Sequence, residues 1–140
     1  MADRTCPLLS MHHGLAHVSS ASLKAGFSCS ILGEEGMALG PTREFLKLLA
    51  ADVLRPELAM FERTSADPSV CVPCTVHGSD GACSASVPNN TQRRELFWSL
   101  GRVIGAAVCR EMNFALQLAP VVLEQVLGIE VRRYFPVRES

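Results

Sequence analysis

The sequence is poor in aromatic residues: six Phe, one Trp and one Tyr make up 6% of 140 residues. A platform that stacks single-stranded bases needs several rings interleaved with basic groups, and this chain does not supply them. An excess of charge of one sign is missing as well, because 13 Lys and Arg stand against 14 Asp and Glu, a formal net charge of -1 with no like-charge run. That leaves no electrostatic footprint for nucleic acid or an anionic membrane. Long apolar runs are also absent. The most apolar window, Leu96 to Met112, is broken by Arg102, Arg110 and Glu111, short of the roughly 18 uncharged residues of a membrane span. The opening, MADRTCPLLSMHHGLAHVSS, has no continuous greasy segment of the signal-peptide kind. The six cysteines (Cys6, Cys29, Cys71, Cys74, Cys83, Cys109) are therefore read as thiols of a reducing cytosol or nucleus, not as three disulfides.

What is present is a composition that is 48% hydrophobic and 19% charged. It fits one ordered domain with large buried helices, a globule that buries roughly two thirds of its unfolded surface. Residues 1–26 are rich in Ser, His, Ala and Gly without a sustained period, which predicts a poorly ordered leader. From Phe27 to Ile31 larger apolar and small polar residues alternate, the period of a short strand. The following GEEGMALGP carries three glycines and a proline, which suit a tight turn. Thr42 is placed to cap a helix with Glu44 in its first turn, and Phe45, Leu48, Leu49 and Val53 on one face, ending at Pro56.

Residues 64–90 hold Pro68, Pro73, Pro88, Gly78 and Gly81, and no period survives there, so a long variable loop is expected. Asn90 is positioned to cap the strongest helix, with Leu96, Phe97, Leu100, Ile104, Ala107 and Val108 on its apolar face. Cys109 falls on the same side, where a thiol acts as a small hydrophobe. Gly101 and Gly105, four apart, read as a site of close helix packing. Phe114 to Ala119 looks extended; Pro120 then opens a last helix through Val122, Leu123, Val126 and Leu127, with Gly128 as its left-handed end. The expected fold is α+β and mainly α, a short strand and glycine turn followed by three packed helices.

Few side chains point to chemistry. Cys71, Cys74, His77 and Cys83 offer thiolates and an imidazole, the ligands tetrahedral zinc prefers. Their spacing departs from that of a zinc knuckle, and a variable insertion is the favoured reading over zinc. His12, His13 and His17 read as part of the solvated leader. Glu34 and Glu35 are neighbours whose side chains point apart, so they do not converge as a general acid and base. Arg43 and Glu44, at a helix start, read as residues of a surface or inter-helix salt bridge. Arg102, set between glycines, can reach a neighbouring backbone or carboxylate. No cofactor is expected.

Three stretches in order, ILGEEGMALGPTREFLKLL at 31–49, LFWSLGRVIGAAV at 96–108 and LQLAPVVLEQVLG at 116–128, resemble the amino-terminal lobe of HECT-type ubiquitin ligases. In that family a strand runs into a GE-x-G-x-D-x-GG turn and a helix beginning near REF; a helix with an x-G-R-hydrophobic-x-G core and one closed by LLG come later. The resemblance rests on Gly33, Glu34, Gly36, Arg43, Glu44, Phe45, Gly101, Arg102, Gly105 and Gly128. Ala38 stands where the family pattern has Asp, and the turn is one glycine shorter before Pro41. At the positions nearest the aromatic residues with which some members hold a second ubiquitin, this chain has Arg63 and Leu96.

The resemblance implies that residues 27–140 form part of a HECT domain and that the activity is ubiquitin–protein transfer, with a ubiquitin-conjugating enzyme and ubiquitin as partners. The family's nucleophilic cysteine lies in a separate carboxy-terminal lobe within a TCF-like motif, and its conjugating-enzyme groove falls later than Ser140. This chain is therefore expected to hold no catalytic residue and to be inactive alone. Thr5-Cys6 echoes the nucleophile dipeptide but is followed by Pro7, not an aromatic. The alternative from another class is a non-catalytic protein-binding adaptor, zinc-stabilised through residues 71–83.

Overall fold

In the computed structural model the described residues are 6–27, 39–74 and 90–128. Pro7 opens the first helix, α1 (Pro7–Leu15), at a position where its missing N–H costs nothing. Leu8, Met11 and Leu15, spaced three and four apart, fall on one face of α1 and are buried. A second short helix, α2 (Ser20–Ala25), is capped by Ser19, whose hydroxyl oxygen accepts from the Ser22 N–H at 3.1 Å. α2 buries Leu23. The expectation of a poorly ordered leader over 1–26 thus fails for residues 7–25. Helices of nine and six residues are too short to show a period, and they are held by tertiary packing, not by propensity.

α3 (Leu39–Asp52) begins three residues before the predicted cap. Thr42 lies inside the helix and is 1% exposed, so it is a core residue and not a cap. Pro41 sits in the first turn, where no intrahelical N–H bond is lost. Phe45, Leu49 and Val53 turn inward as the spacing predicts, but the fourth inward residue is Leu46 and not Leu48, which is half-buried. The helix stops at Asp52, and Pro56 opens a separate 3-10 turn (Pro56–Leu58) closed by Ala59 in the left-handed region at φ 48°. Of the predicted strand 27–31 only Phe27 lies within the described residues, packed against the core.

The stretch expected to be a loop without strands contains one: β2 (Cys71–Pro73) pairs antiparallel with β1 (Phe61–Arg63), Glu62 opposite Val72. Strands of three residues give period two nothing to register on. The reversal between them is closed by side chains. The Thr64 Oγ1 accepts from the Asp67 N–H at 3.1 Å, and the Asp67 carboxylate accepts from the Ser69 N–H at 2.9 Å and its hydroxyl at 2.6 Å. The two Ser69 bonds hold the Asp67 carboxyl below its ordinary value. On its other edge Cys71 donates to the Gln117 carbonyl at 2.7 Å and accepts from the Ala119 N–H at 2.9 Å, which sets the extended 114–119 segment beside the hairpin.

α4 (Asn90–Cys109) is the element the others surround. It buries Leu96, Ser99, Leu100, Val103, Ala106 and Ala107, while Phe97 and Ile104 are half-buried. Two expectations for its apolar face are corrected. Val108 is 68% exposed, and Cys109 is exposed and not a core thiol. The buried stripe is centred on Val103, not on Ile104, a turn of about 100°. α5 (Pro120–Val126) follows as predicted, and Gly128 at φ +73° donates its N–H to the Gln125 carbonyl at 3.1 Å, the left-handed cap that glycine favours.

Candidate functional site

Two arginines of α4 and a third one residue past its end each grip a different loop by its backbone. Arg93 donates to the carbonyl of Cys74 at the end of β2, and its guanidinium lies 5.4 Å from the centre of the Phe97 ring. Arg102 donates to Leu15 at 3.2 Å and to Val18, the two carbonyls that bracket the turn between α1 and α2. Arg110 donates to Ala25 beside Gly26, whose left-handed φ of 140° and missing side chain make room for the guanidinium. A planar fork of N–H donors on a long stem suits this work, which an ammonium does not reproduce. Of the two partners open to Arg102 from the sequence, backbone or carboxylate, the structure has the backbone.

Replacing Arg102 with Ala removes two charge-assisted bonds across the α1–α2 turn and costs about 2–3 kcal/mol. Urea unfolding checks it. Arg102→Lys, which keeps the charge and loses the fork, recovers less than half of that loss if the geometry is the cause; full recovery would refute it.

Gly101 and Gly105 are not points of close packing, as the sequence had suggested: both are exposed, and a Cβ at either would meet no atom within 4 Å. They border a shallow groove of about 190 Å³ beside α2, with Leu23 and Cys109 on its walls. Among the other motif positions, Phe45 is a core residue, Arg43 is exposed and Glu44 half-buried, while Gly33, Glu34 and Gly36 lie outside the described residues.

A second cleft, of about 400 Å³, opens between α1, the end of α3 and the start of α4, lined by Cys6, Leu8, His13, Asp52, Arg55 and Glu95 among others. Asp52, Arg55 and His12 among its polar groups are already engaged with the fold. The Asp52 carboxylate, 6% exposed, accepts from the buried Leu8 N–H at 3.0 Å and from Arg55 at 3.0 Å. His12 shares a hydrogen bond of 2.9 Å with the hydroxyl of buried Ser99. Sequence reading missed Asp52 and Ser99, because a lone polar residue in an apolar helix carries no sign of whether it faces inward, and it placed His12 in a solvated leader, whereas His12 is half-buried against Ser99.

The thiols are dispersed. Cys71 is 1% exposed within β2, Cys74 is half-buried, and Cys6 and Cys109 lie on the surface. Burial, with the Glu62 carboxylate second, raises the Cys74 thiol above its ordinary value against the opposing pull of Arg93, the reverse of what a nucleophilic thiolate requires. Of the four zinc candidates, Cys71 is spent on the core and His77 and Cys83 lie outside the described residues, among which no three metal-ligating side chains come together. Among these residues no helix is long and apolar enough to cross a membrane.

The family model for the HECT domain (ubiquitin-transferase) matches residues 47–136, from the middle of α3 through the hairpin, α4 and α5. The chain belongs to the HECT-domain family. Two curated relatives agree: chicken E3 ubiquitin-protein ligase HACE1 is 26% identical over 117 residues, 84% of this chain, and the zebrafish protein of the same name 27% over 113 residues, 81% of it. Each match takes in only 11% of the relative, so the chain spans about a tenth of the length of these relatives. The sequence-level resemblance to HECT ligases agrees with these matches.

Proposed function

We propose that this chain is a segment of the amino-terminal lobe of a HECT-type ubiquitin transferase and serves as scaffold, not as the seat of the chemistry. The observation that carries this reading is the HECT-domain match over residues 47–136. It is supported by the use of the motif arginine, Arg102, as a brace on backbone carbonyls.

On this reading the partners are a ubiquitin-conjugating enzyme and ubiquitin. In the transfer a ligase thiolate attacks the carbonyl of the conjugating enzyme's thioester, and that enzyme's thiolate leaves. The amine of a protein substrate then attacks the new thioester and the ligase thiolate departs. Cys71 and Cys74 are poor candidates for the nucleophile, one buried in a strand and the other with its thiol pKa raised. The cysteine that takes ubiquitin is assigned to a lobe beyond these residues, and a reducing cytosol or nucleus, where thiols persist, is the compartment that suits it.

The test is incubation of the 140-residue chain with activating enzyme, conjugating enzyme, ubiquitin and ATP, followed by a non-reducing gel. No thiol-sensitive adduct is expected. An adduct removed by reductant and by one cysteine substitution among the six would overturn the scaffold reading.

A further inference from the structure

Lysine is among the commonest residues of soluble domains, yet this chain has only two, Lys24 and Lys47, against eleven arginines. Seven of those arginines fall within the described residues, and the fold accounts for five of them. Arg93, Arg102 and Arg110 grip the backbone carbonyls already named, Arg63 donates to the Pro68 carbonyl at 2.8 Å, and Arg55 pairs with Asp52 at 3.0 Å. Arg43 and Arg94 are different. Both are exposed, one on α3 and one on α4, and neither bonds to another described residue. The fold asks for no more than surface charge at these two positions, and a strongly hydrated ammonium would supply that equally well.

The two cations differ in what they do beside a thioester. A guanidinium stays protonated and has no lone pair to offer, whereas a lysine ammonium can release its proton and the amine then attacks. We infer that this segment is kept nearly free of ubiquitin-accepting amines, and that ubiquitin reaching it from a thioester is taken by Lys24 and Lys47. The inference rests on the ubiquitin-transfer reading above, because a chain that works beside activated ubiquitin gains from carrying arginine in place of lysine. Both lysines have what an acceptor needs. Lys24 lies in the last turn of α2 and Lys47 in the middle of α3; both are exposed, and neither is held in an ion pair with another described residue. In the step itself the uncharged Nζ attacks the thioester carbonyl carbon and a C–N bond forms. The C–S bond breaks with its electron pair on the departing thiolate, and the nitrogen gives its extra proton to solvent. The product is an isopeptide, which reductant does not cleave.

The test supplies the 140-residue chain, acetylated at its amino terminus, with activating enzyme, ATP, lysine-free ubiquitin and a conjugating enzyme that discharges directly onto free lysine. Reductant-stable products carrying one and two ubiquitins are expected, mapped by peptide mass spectrometry to Lys24 and Lys47. Lys24→Arg with Lys47→Arg lowers the modified fraction at least about tenfold, since no reactive amine remains. Arg43→Lys with Arg94→Lys keeps every charge, adds two attachment sites and raises the ubiquitin taken up about twofold. Thermal unfolding checks that each variant is folded. Ubiquitin on other residues of the parent, a lysine-free variant modified as readily as the parent, or no gain from Arg43→Lys with Arg94→Lys overturns the proposal. A thiol-sensitive adduct on the same gel counts against the scaffold reading alone, because the bonds scored here are those that reductant leaves intact.

Discussion

Residues 27–140 alone are expected not to unfold cooperatively. Removing residues 1–26 takes away Leu8, Met11, Leu15 and Leu23, each 8% exposed or less in the core. At about 1.5–3 kcal/mol for each buried side chain, the four contribute about 6–12 kcal/mol. That equals the whole stability of a typical domain, about 5–15 kcal/mol. The truncation also strips the Asp52 carboxylate of the Leu8 N–H, uncovers the Ser99 hydroxyl, and leaves Arg102 without its two carbonyls. Near-ultraviolet circular dichroism through a thermal scan, with a dye that binds exposed apolar surface, gives the answer. A sharp transition at the parent's midpoint would mean that α1 and α2 are ornaments on an independent core.

Leu49→Ala is expected to cost about 3–5 kcal/mol, the range for a leucine truncated where the surroundings cannot collapse. Leu49 is fully buried on the α3 face that also presents Phe45, Leu46 and Val53, and it belongs to the same cluster as Leu96 and Leu100 of α4. Urea unfolding of dilute protein reads the loss as a lower midpoint with an unchanged slope. Trp98→Ala is the control: a larger side chain is removed, but from the surface, and the change stays within about 0.5 kcal/mol. If the two substitutions cost the same, the assignment of inner and outer faces is wrong.

The contrast between these predictions shows where the sequence was legible. α3 and α4 could be read because Phe45, Leu49 and Val53, or Leu96, Leu100 and Ala107, recur often enough for the helical period to emerge. The end of α5 could be read because Pro120 and Gly128 each have one obvious use there. α1 and α2 could not, since a few inward residues in helices this short look the same as apolar residues in an unstructured tail. The β1–β2 hairpin escaped for a related reason: its turn is closed by Thr64, Asp67 and Ser69, which read as loop residues, and its pairing is a long-range decision. The site divided along the same line. Arg102 stood out because glycines flank it, whereas Asp52 and Ser99 acquire meaning only once α1 is laid against them.

The brace that Arg102 places on Leu15 joins residues 87 apart in the chain. On a ribosome adding about 5–20 residues per second, the first helix is finished roughly 4–17 s before its anchor is made. Throughout that interval Leu8, Met11 and Leu15 have at most α3 to cover them, and the α4 side of their pocket is missing. The nascent chain therefore offers a greasy amino-terminal handle to holding chaperones, and it is released only when synthesis has passed the middle of α4.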